Sequence, residues 1–272
     1  MSNLPCEILD RIVDFLYDRR TPLRNCCLVS KSWIPRTRTH LFAEVDFQTA
    51  NGLESWRETF PDASTSPAHY TKTLFIRCPQ VVTAEDAETG CWIGSFPHVV
   101  RLVIVGRGRQ QFARGWGDTF ALFHGISPLV KSLRVESVLF PSSQLFDLIP
   151  SFPLLEDLSV IGCSHLPVEL VGGSDGLSTP ARPSSLLMFA GSLELDMGGE
   201  MEPVAHRLLS LSGGIHFLKL TLKLPCEEDL PLATAIVEKC SRTLEFLDIT
   251  YDNLGGMSVT TAFPRKLTHP IF

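Results

Sequence analysis

The sequence predicts an α/β protein in two parts. Residues 1–43 form a small unit of three helices, and residues 44–272 form an irregular α/β solenoid with parallel strands. Two patterns carry this expectation. Apolar residues recur at helical spacing through the first forty positions, and a proline-to-leucine segment then repeats without gaps further along. Composition agrees: 44% hydrophobic and 20% charged residues in 272 describe a chain that buries a core and exclude wholesale disorder.

Asn3 is placed to cap a first helix that carries Pro5 in its first turn and Glu7 near its positive end. At about 100° per residue, Ile8, Leu9, Ile12, Val13, Phe15 and Leu16 span roughly 160°, wider than the ~100° stripe of an ordinary surface helix. Glu7, Asp10, Arg11 and Asp14 take the remaining face. So wide a stripe calls for two apolar neighbours. One lies within the unit, and the other is either the following domain or a second polypeptide. Thr21-Pro22 then starts a second helix as cap and first residue, with Leu23, Cys26 or Cys27, Val29 and Trp33 as its buried stripe. Pro35 ends that helix and opens a third toward Leu41-Phe42. Three helices this short need something to lean on.

Two motifs here resemble a known family. Leu4-Pro5-x-Glu7-Ile8-Leu9-x-x-Ile12-x-x-Phe15-Leu16 and Leu23-x-x-Cys26-Cys27-Leu28-Val29-Ser30-Lys31-Ser32-Trp33 together resemble an F-box, most closely the F-box-like segments of fungal proteins. Those segments also continue with a run like Pro35-Arg36-x-Arg38-x-x-Leu41-Phe42. Cys6 stands where the family commonly has proline or another small residue. The resemblance implies docking onto the Skp-type adaptor of cullin–RING ubiquitin ligases. By position, Leu4, Pro5, Ile8, Leu9 and Ile12 would face the adaptor, with Trp33 packing nearby.

From Glu44 onward the chain repeats. Phe96-Pro97 to Ile104, Ser127-Pro128 to Val135 and Phe152-Pro153 to Val160 align without gaps, each with proline five residues before a leucine and an aliphatic two residues after it. Leu74-Phe75-Ile76, Leu193-Glu194-Leu195, Leu218-Lys219-Leu220 and Leu244-x-x-Leu247-x-Ile249 carry the core of the same pattern. Key leucines at 74, 102, 133, 158, 193, 218 and 247 leave room in each step for a short strand, a helix and two turns. Helices are expected at Gln144 to Ile149 behind Ser142-Ser143, from Pro203 to Leu209, and from Leu232 to Cys240. The alternation resembles leucine-rich repeats, without the asparagine such repeats often place after the strand. A doubly wound sheet is the competing fold. Residues 168–185, rich in Gly, Ser and Pro, read as a mobile insertion between two groups of repeats. Phe263-Pro264-Arg265-Lys266-Leu267 starts like a further unit, so a frayed end is expected there.

Several chemistries are argued against. Gly172-x-Ser174-x-Gly176 matches a nucleophile elbow, yet Pro180 and Pro183 follow where the oxyanion-binding helix has to start. Eight scattered cysteines include no Cys-x-x-Cys pair, and Cys163-Ser164-His165 lacks further ligands at usable spacing, so no metal and no cofactor are expected. The thiols read as free and mostly buried in a reducing compartment, with disulfides the alternative for a secreted chain. No apolar run approaches the ~20 residues of a membrane span, and the first residues lack a secretory signal, so an intracellular protein is expected. Net charge is −6 and sequence pI about 5.8, which argues against nucleic acid as main partner. The loop after the strand at Leu102, with Arg107, Arg109, Arg114 and Trp116, is a possible partner-binding rim.

The expected function is therefore non-enzymatic: an adaptor that binds the Skp-type subunit through its helices and a target protein through its solenoid. Residues 1–46 carry seven basic and six acidic side chains, leaving 17 basic and 24 acidic in the remainder, which favours a mildly basic target. The alternative is an interaction protein whose helices merely cap its first repeat.

Overall fold

A computed structural model of the chain describes residues 5–62, 65–77, 96–106, 123, 126–140, 145–146, 148–165, 191–198, 201–210, 216–251 and 257–262. Three helices come first: α1 (Cys6–Phe15), α2 (Arg20–Val29) and α3 (Ile34–Leu41). Asn3 lies outside the described residues. Pro5 occupies the cap of α1, where its fixed φ of −53° suits the entry and its missing N–H costs nothing. Helix α2 starts at Arg20 behind the cap residue Arg19, two residues ahead of the expected cap Thr21 and first residue Pro22, and stops at Ser30, whose extended backbone breaks the helical phase. Pro35 therefore does not end α2. It sits in the first turn of α3, while a 3-10 turn at Lys31–Trp33, with the Ser30 hydroxyl accepting from the Ser32 N–H at 3.3 Å, joins the two helices.

The chain passes from α3 through Phe42 and Ala43 straight into β1 (Glu44–Phe47), then α4 (Ala50–Thr59). Further strands follow at β2 (Thr73–Arg77), β3 (Arg101–Val105), β4 (Ser132–Glu136), β6 (Asp157–Ile161), β8 (Ser192–Asp196), β9 (Lys219–Leu224), β10 (Phe246–Tyr251) and β11 (Met257–Ala262). All nine form one sheet in chain order, β1-β2-β3-β4-β6-β8-β9-β10-β11, with no reversal point of the kind a doubly wound sheet requires. Eight strands are parallel. The expectation of parallel strands throughout is corrected at the last one: β11 returns antiparallel against β10, as close succession in the chain permits. Two-residue strands β5 (Leu139–Phe140) and β7 (Ser164–His165) pair separately.

The core runs as two apolar rows along one sheet face. Leu74, Leu102, Leu133, Leu158, Leu193, Leu220 and Leu247 stand in register, and so do Ile76, Ile104, Val135, Val160, Leu195, Leu222 and Ile249. The repeat leucine on β9 is therefore Leu220 and not Leu218, which is 39% exposed. Leucines at 218, 220, 222 and 224 all share one parity, so the sequence alone cannot choose between registers two residues apart. Helices α5 (Glu202–Leu209) and α6 (Leu230–Cys240) complete the core with Val204, Ala205 and Leu208, and with Ala233, Ile236 and Cys240. Of the helix expected at 144–149, residues 145, 146 and 148 are helical and Ile149 opens a 3-10 turn.

Each repeated proline (Pro97, Pro128, Pro153) sits four residues ahead of its strand, in a turn pinned by a buried residue on either side: Phe96 and Val99, Ser127 and Val130, Phe152 and Leu155. Successive units are stitched by one recurring device. The carbonyl just ahead of a strand accepts two N–H groups from the next unit, at Ala43, Lys72, Val100, Lys131, Gly191 and Leu218. Between β6 and β8 the Asp157 side chain serves instead, accepting from the Ser192 N–H at 2.9 Å and its hydroxyl at 2.7 Å. Segments 132–140 and 157–165 repeat element for element at an offset of 25 residues, including a positive φ at Ser137 and at Gly162. The 168–185 segment and residues 263–267 lie outside the described residues.

Candidate functional site

Helix α1 hides far less than its apolar content suggests. Val13 alone is buried, and Leu9 and Leu16 are half-buried. Ile8 (45% exposed), Ile12 (41%) and Phe15 (79%) stand at i, i+4 and i+7, so they line one outward stripe. The helix is held to α3 at its opposite side by Asp14. The Asp14 carboxylate accepts from Arg36 Nε at 2.5 Å and Nη2 at 2.7 Å, and its Oδ1 lies 2.7 Å from His40 Nε2. Hydrogen bonds from Arg36 and then His40 hold the Asp14 carboxyl down at about 2, and the same pairing raises the Arg36 pKa.

Among the residues expected to meet an adaptor, Pro5, Ile8 and Ile12 are exposed, Leu9 is half-buried, and Trp33 is half-buried in the 3-10 turn against α1. Leu4 lies outside the described residues. None of the five is enclosed by the sheet. On α2, Leu23 and Cys26 are buried as expected, but Val29 is 67% exposed, because the helix ends there and turns it away from the unit. Leu28 beside it is 86% exposed. At about 100° per residue Leu28 falls roughly 170° from the Leu23/Cys26 stripe, a signal available in the sequence but not used. Tyr17 (68% exposed) adds a further apolar surface at the end of α1.

The second surface is the sheet face opposite the core. Its middle rows carry an interlocked set of charges. Arg77 reaches Asp46 at 3.0 Å from the neighbouring strand and lies 5.8 Å from the Phe75 ring centre. Arg134 pairs with Glu136 and stands 4.0 Å from Glu194. Glu194 also accepts from the Ser159 hydroxyl at 2.7 Å and faces Lys223 at 3.5 Å. Asp196 accepts from the N–H groups of Gly198 and Gly162 at 3.0 and 3.2 Å. These groups can offer charge and hydrogen bonds to a molecule lying across the strands.

Cys163, which follows β6, is buried, and its thiol lies 3.5 Å from the Val135 carbonyl of the preceding unit and 3.4 Å from that of Ile161. Burial pushes the thiol up to about 12, so it acts as a hydrogen-bonding clip and not as a nucleophile. All six described cysteines are free. Among the described residues no group of three or more His, Cys, Asp or Glu converges as a metal site, and no helix is long and apolar enough to cross a membrane. The loop residues Arg107, Arg109, Arg114 and Trp116, and Ser174, lie outside the described residues. Where that loop leaves the sheet, the Gly106 N–H donates to Glu136 O at 2.7 Å, and any side chain at Gly106 would strike the Ser137 carbonyl. No family model matches the chain, and no curated protein matches it.

Proposed function

We propose that the protein is a target-recognition adaptor of a cullin–RING ubiquitin ligase. Its helical unit docks on the Skp-type subunit, and its sheet is an irregular leucine-rich-repeat-like solenoid that presents a target protein. One observation carries the reading: Ile8 and Ile12, the central residues of the expected docking set, remain 45% and 41% exposed in the folded chain. An apolar stripe left open on one face of a helix suits a partner that covers it.

Three features support the solenoid half. Strands are added in chain order on one edge, successive units share a hydrogen-bonded stitch, and two adjacent units repeat at 25 residues. Leu158-x-Val160-x-x-Cys163 also fits the repeat pattern in which cysteine replaces asparagine after the strand. The ligase gains by proximity, with no catalytic group from this chain. The reading implies an intracellular protein. A second reading, helices that only cap the sheet, is favoured by the packing of Phe42 against Trp56, which ties α3 to the first strand's neighbours.

Co-purification with the Skp-type adaptor separates the two. The wild type is expected to form a stoichiometric complex that Ile8→Asp with Ile12→Asp abolishes while thermal unfolding stays unchanged. A complex that survives the double substitution, or that never forms, overturns the ligase reading.

A further inference from the structure

The nine-stranded sheet has an edge at each end, and the two edges are built differently. Strand β1 is four residues long and alternates exposed acids, Glu44 and Asp46, with buried Val45 and Phe47. A short edge that carries charge resists the addition of another strand. Strand β11 runs for six residues, all in register with β10, and Met257-Ser258-Val259-Thr260-Thr261-Ala262 contains no charge, no proline and no glycine. Its three successive β-branched residues favour extended backbone. Among the described residues no strand pairs with its outer side.

The reversal of β11 decides what can be added there. It occupies the side of β10 on which a further parallel unit would stand, so the repeat cannot supply the next strand in its own series. The helix layer stops short as well. Among the described residues no helix follows α6, and Ile249 and Tyr251 on β10 are half-buried, whereas Leu222 and Leu224 beside them on β9 are fully buried. Ladder and core both run out at this end.

We propose that β11 pairs antiparallel with β11 of a second copy of this chain, joining two sheets into one. A strand can lie antiparallel to its own copy about a two-fold axis normal to the sheet, which keeps both core faces on one side. Ser258, Thr260 and Thr261 are residue types whose cross-strand contacts with one another are favourable. Pairing of β11 with β1 of another copy is head-to-tail instead, and leaves a free edge at each end for a further chain. The acids on β1 oppose that arrangement. The unguarded edge therefore meets its own kind, and assembly closes at two chains. This inference uses no residue of the helical unit and stands apart from the adaptor reading.

The test is sedimentation velocity of the full chain between about 1 and 100 µM, where mass action on a dimer is visible. With rising concentration the wild type is expected to move from 30.1 kDa toward twice that mass and no further. S258K/T260K, which adds the charge that guarded edges carry, should stay at single-chain mass with thermal unfolding unchanged. I8D/I12D should dimerise as the wild type does. Hydrogen exchange supplies a second measure: amides within 257–262 should slow at least about tenfold from the lowest to the highest concentration, and those of β1 should not change. Single-chain mass throughout overturns the proposal, as does a dimer that survives S258K/T260K or one that I8D/I12D abolishes. A mass that climbs past two chains overturns the closed pair in favour of β11 on β1. If S258K/T260K fails to fold, exchange at β11 that is unchanged across the concentration range overturns the proposal by itself.

Discussion

Replacing Asp14 by asparagine keeps the shape of the side chain and removes the charge that joins α1 to α3. A carboxyl held at about 2 against an ordinary 3.8 corresponds to about 2.5 kcal/mol if fully expressed. Solvent screens it: the Asp14 and Arg36 side chains are 38% and 42% exposed, so about 1 kcal/mol is the realistic cost of the substitution at neutral pH. Because the folded-state pKa lies below the unfolded one, this contribution is present above about pH 4 and fades as pH falls toward 2. Urea unfolding of wild type and D14N between pH 7 and pH 2 reads it directly. The gap in stability should be near 1 kcal/mol at pH 7, shrink below pH 4, and narrow further in molar salt. Equal stabilities at pH 7, or a gap that stays constant down to pH 2, would refute the reasoning.

Three other outcomes follow from the same structure. Gly191→Ala places a methyl 2.6 Å from the Glu156 carbonyl and 2.7 Å from the Asp157 carboxylate, so it should destabilise by several kcal/mol in denaturant titration. Gly52→Ala in α4, whose new methyl meets only the Thr49 hydroxyl at 3.6 Å, should stabilise by up to about 1 kcal/mol in the same assay. Under native conditions iodoacetamide should label exposed Cys6 and spare Cys163, as mass mapping would show, and Cys163→Ala should cost about 1–3 kcal/mol through the buried sulfur and the single thiol donor it removes.

Strands β3, β4 and β6 were legible because each carries two independent marks. Pro97, Pro128 and Pro153 set the turn, and the Leu-x-aliphatic pair five residues on sets the face, so the 102, 133 and 158 ladder could be read directly. On β9 the second mark is missing. No proline precedes it by five, four leucines alternate, and a two-residue slip preserves the face, so register is decided by the stitch from Gly191. The reversal of β11 has no counterpart in a pattern that says which side is apolar but not which way the strand runs. In the helical unit, spacing identified which helices are amphipathic. It assigned Val29 inward because it treated α2 as continuing past Ser30, where the extended backbone stops it.

Five rings from separate parts of the chain meet at the joint between helices and sheet: Phe42 at the end of α3, Phe47 on β1, Trp56 and Phe60 at α4, and Phe96 ahead of β3. Trp56 lies 4.9–6.0 Å from the other four. The contacts with Phe42 and Phe47 are edge-to-face, a geometry worth about 0.5–1.5 kcal/mol beyond the area it buries. The Ala43 carbonyl also accepts from the Lys72 and Thr73 N–H groups, so the last helix joins the sheet with no intervening linker. On the adaptor reading, a molecule that grips the outer helices would carry the sheet with it through packed rings and not through a tether.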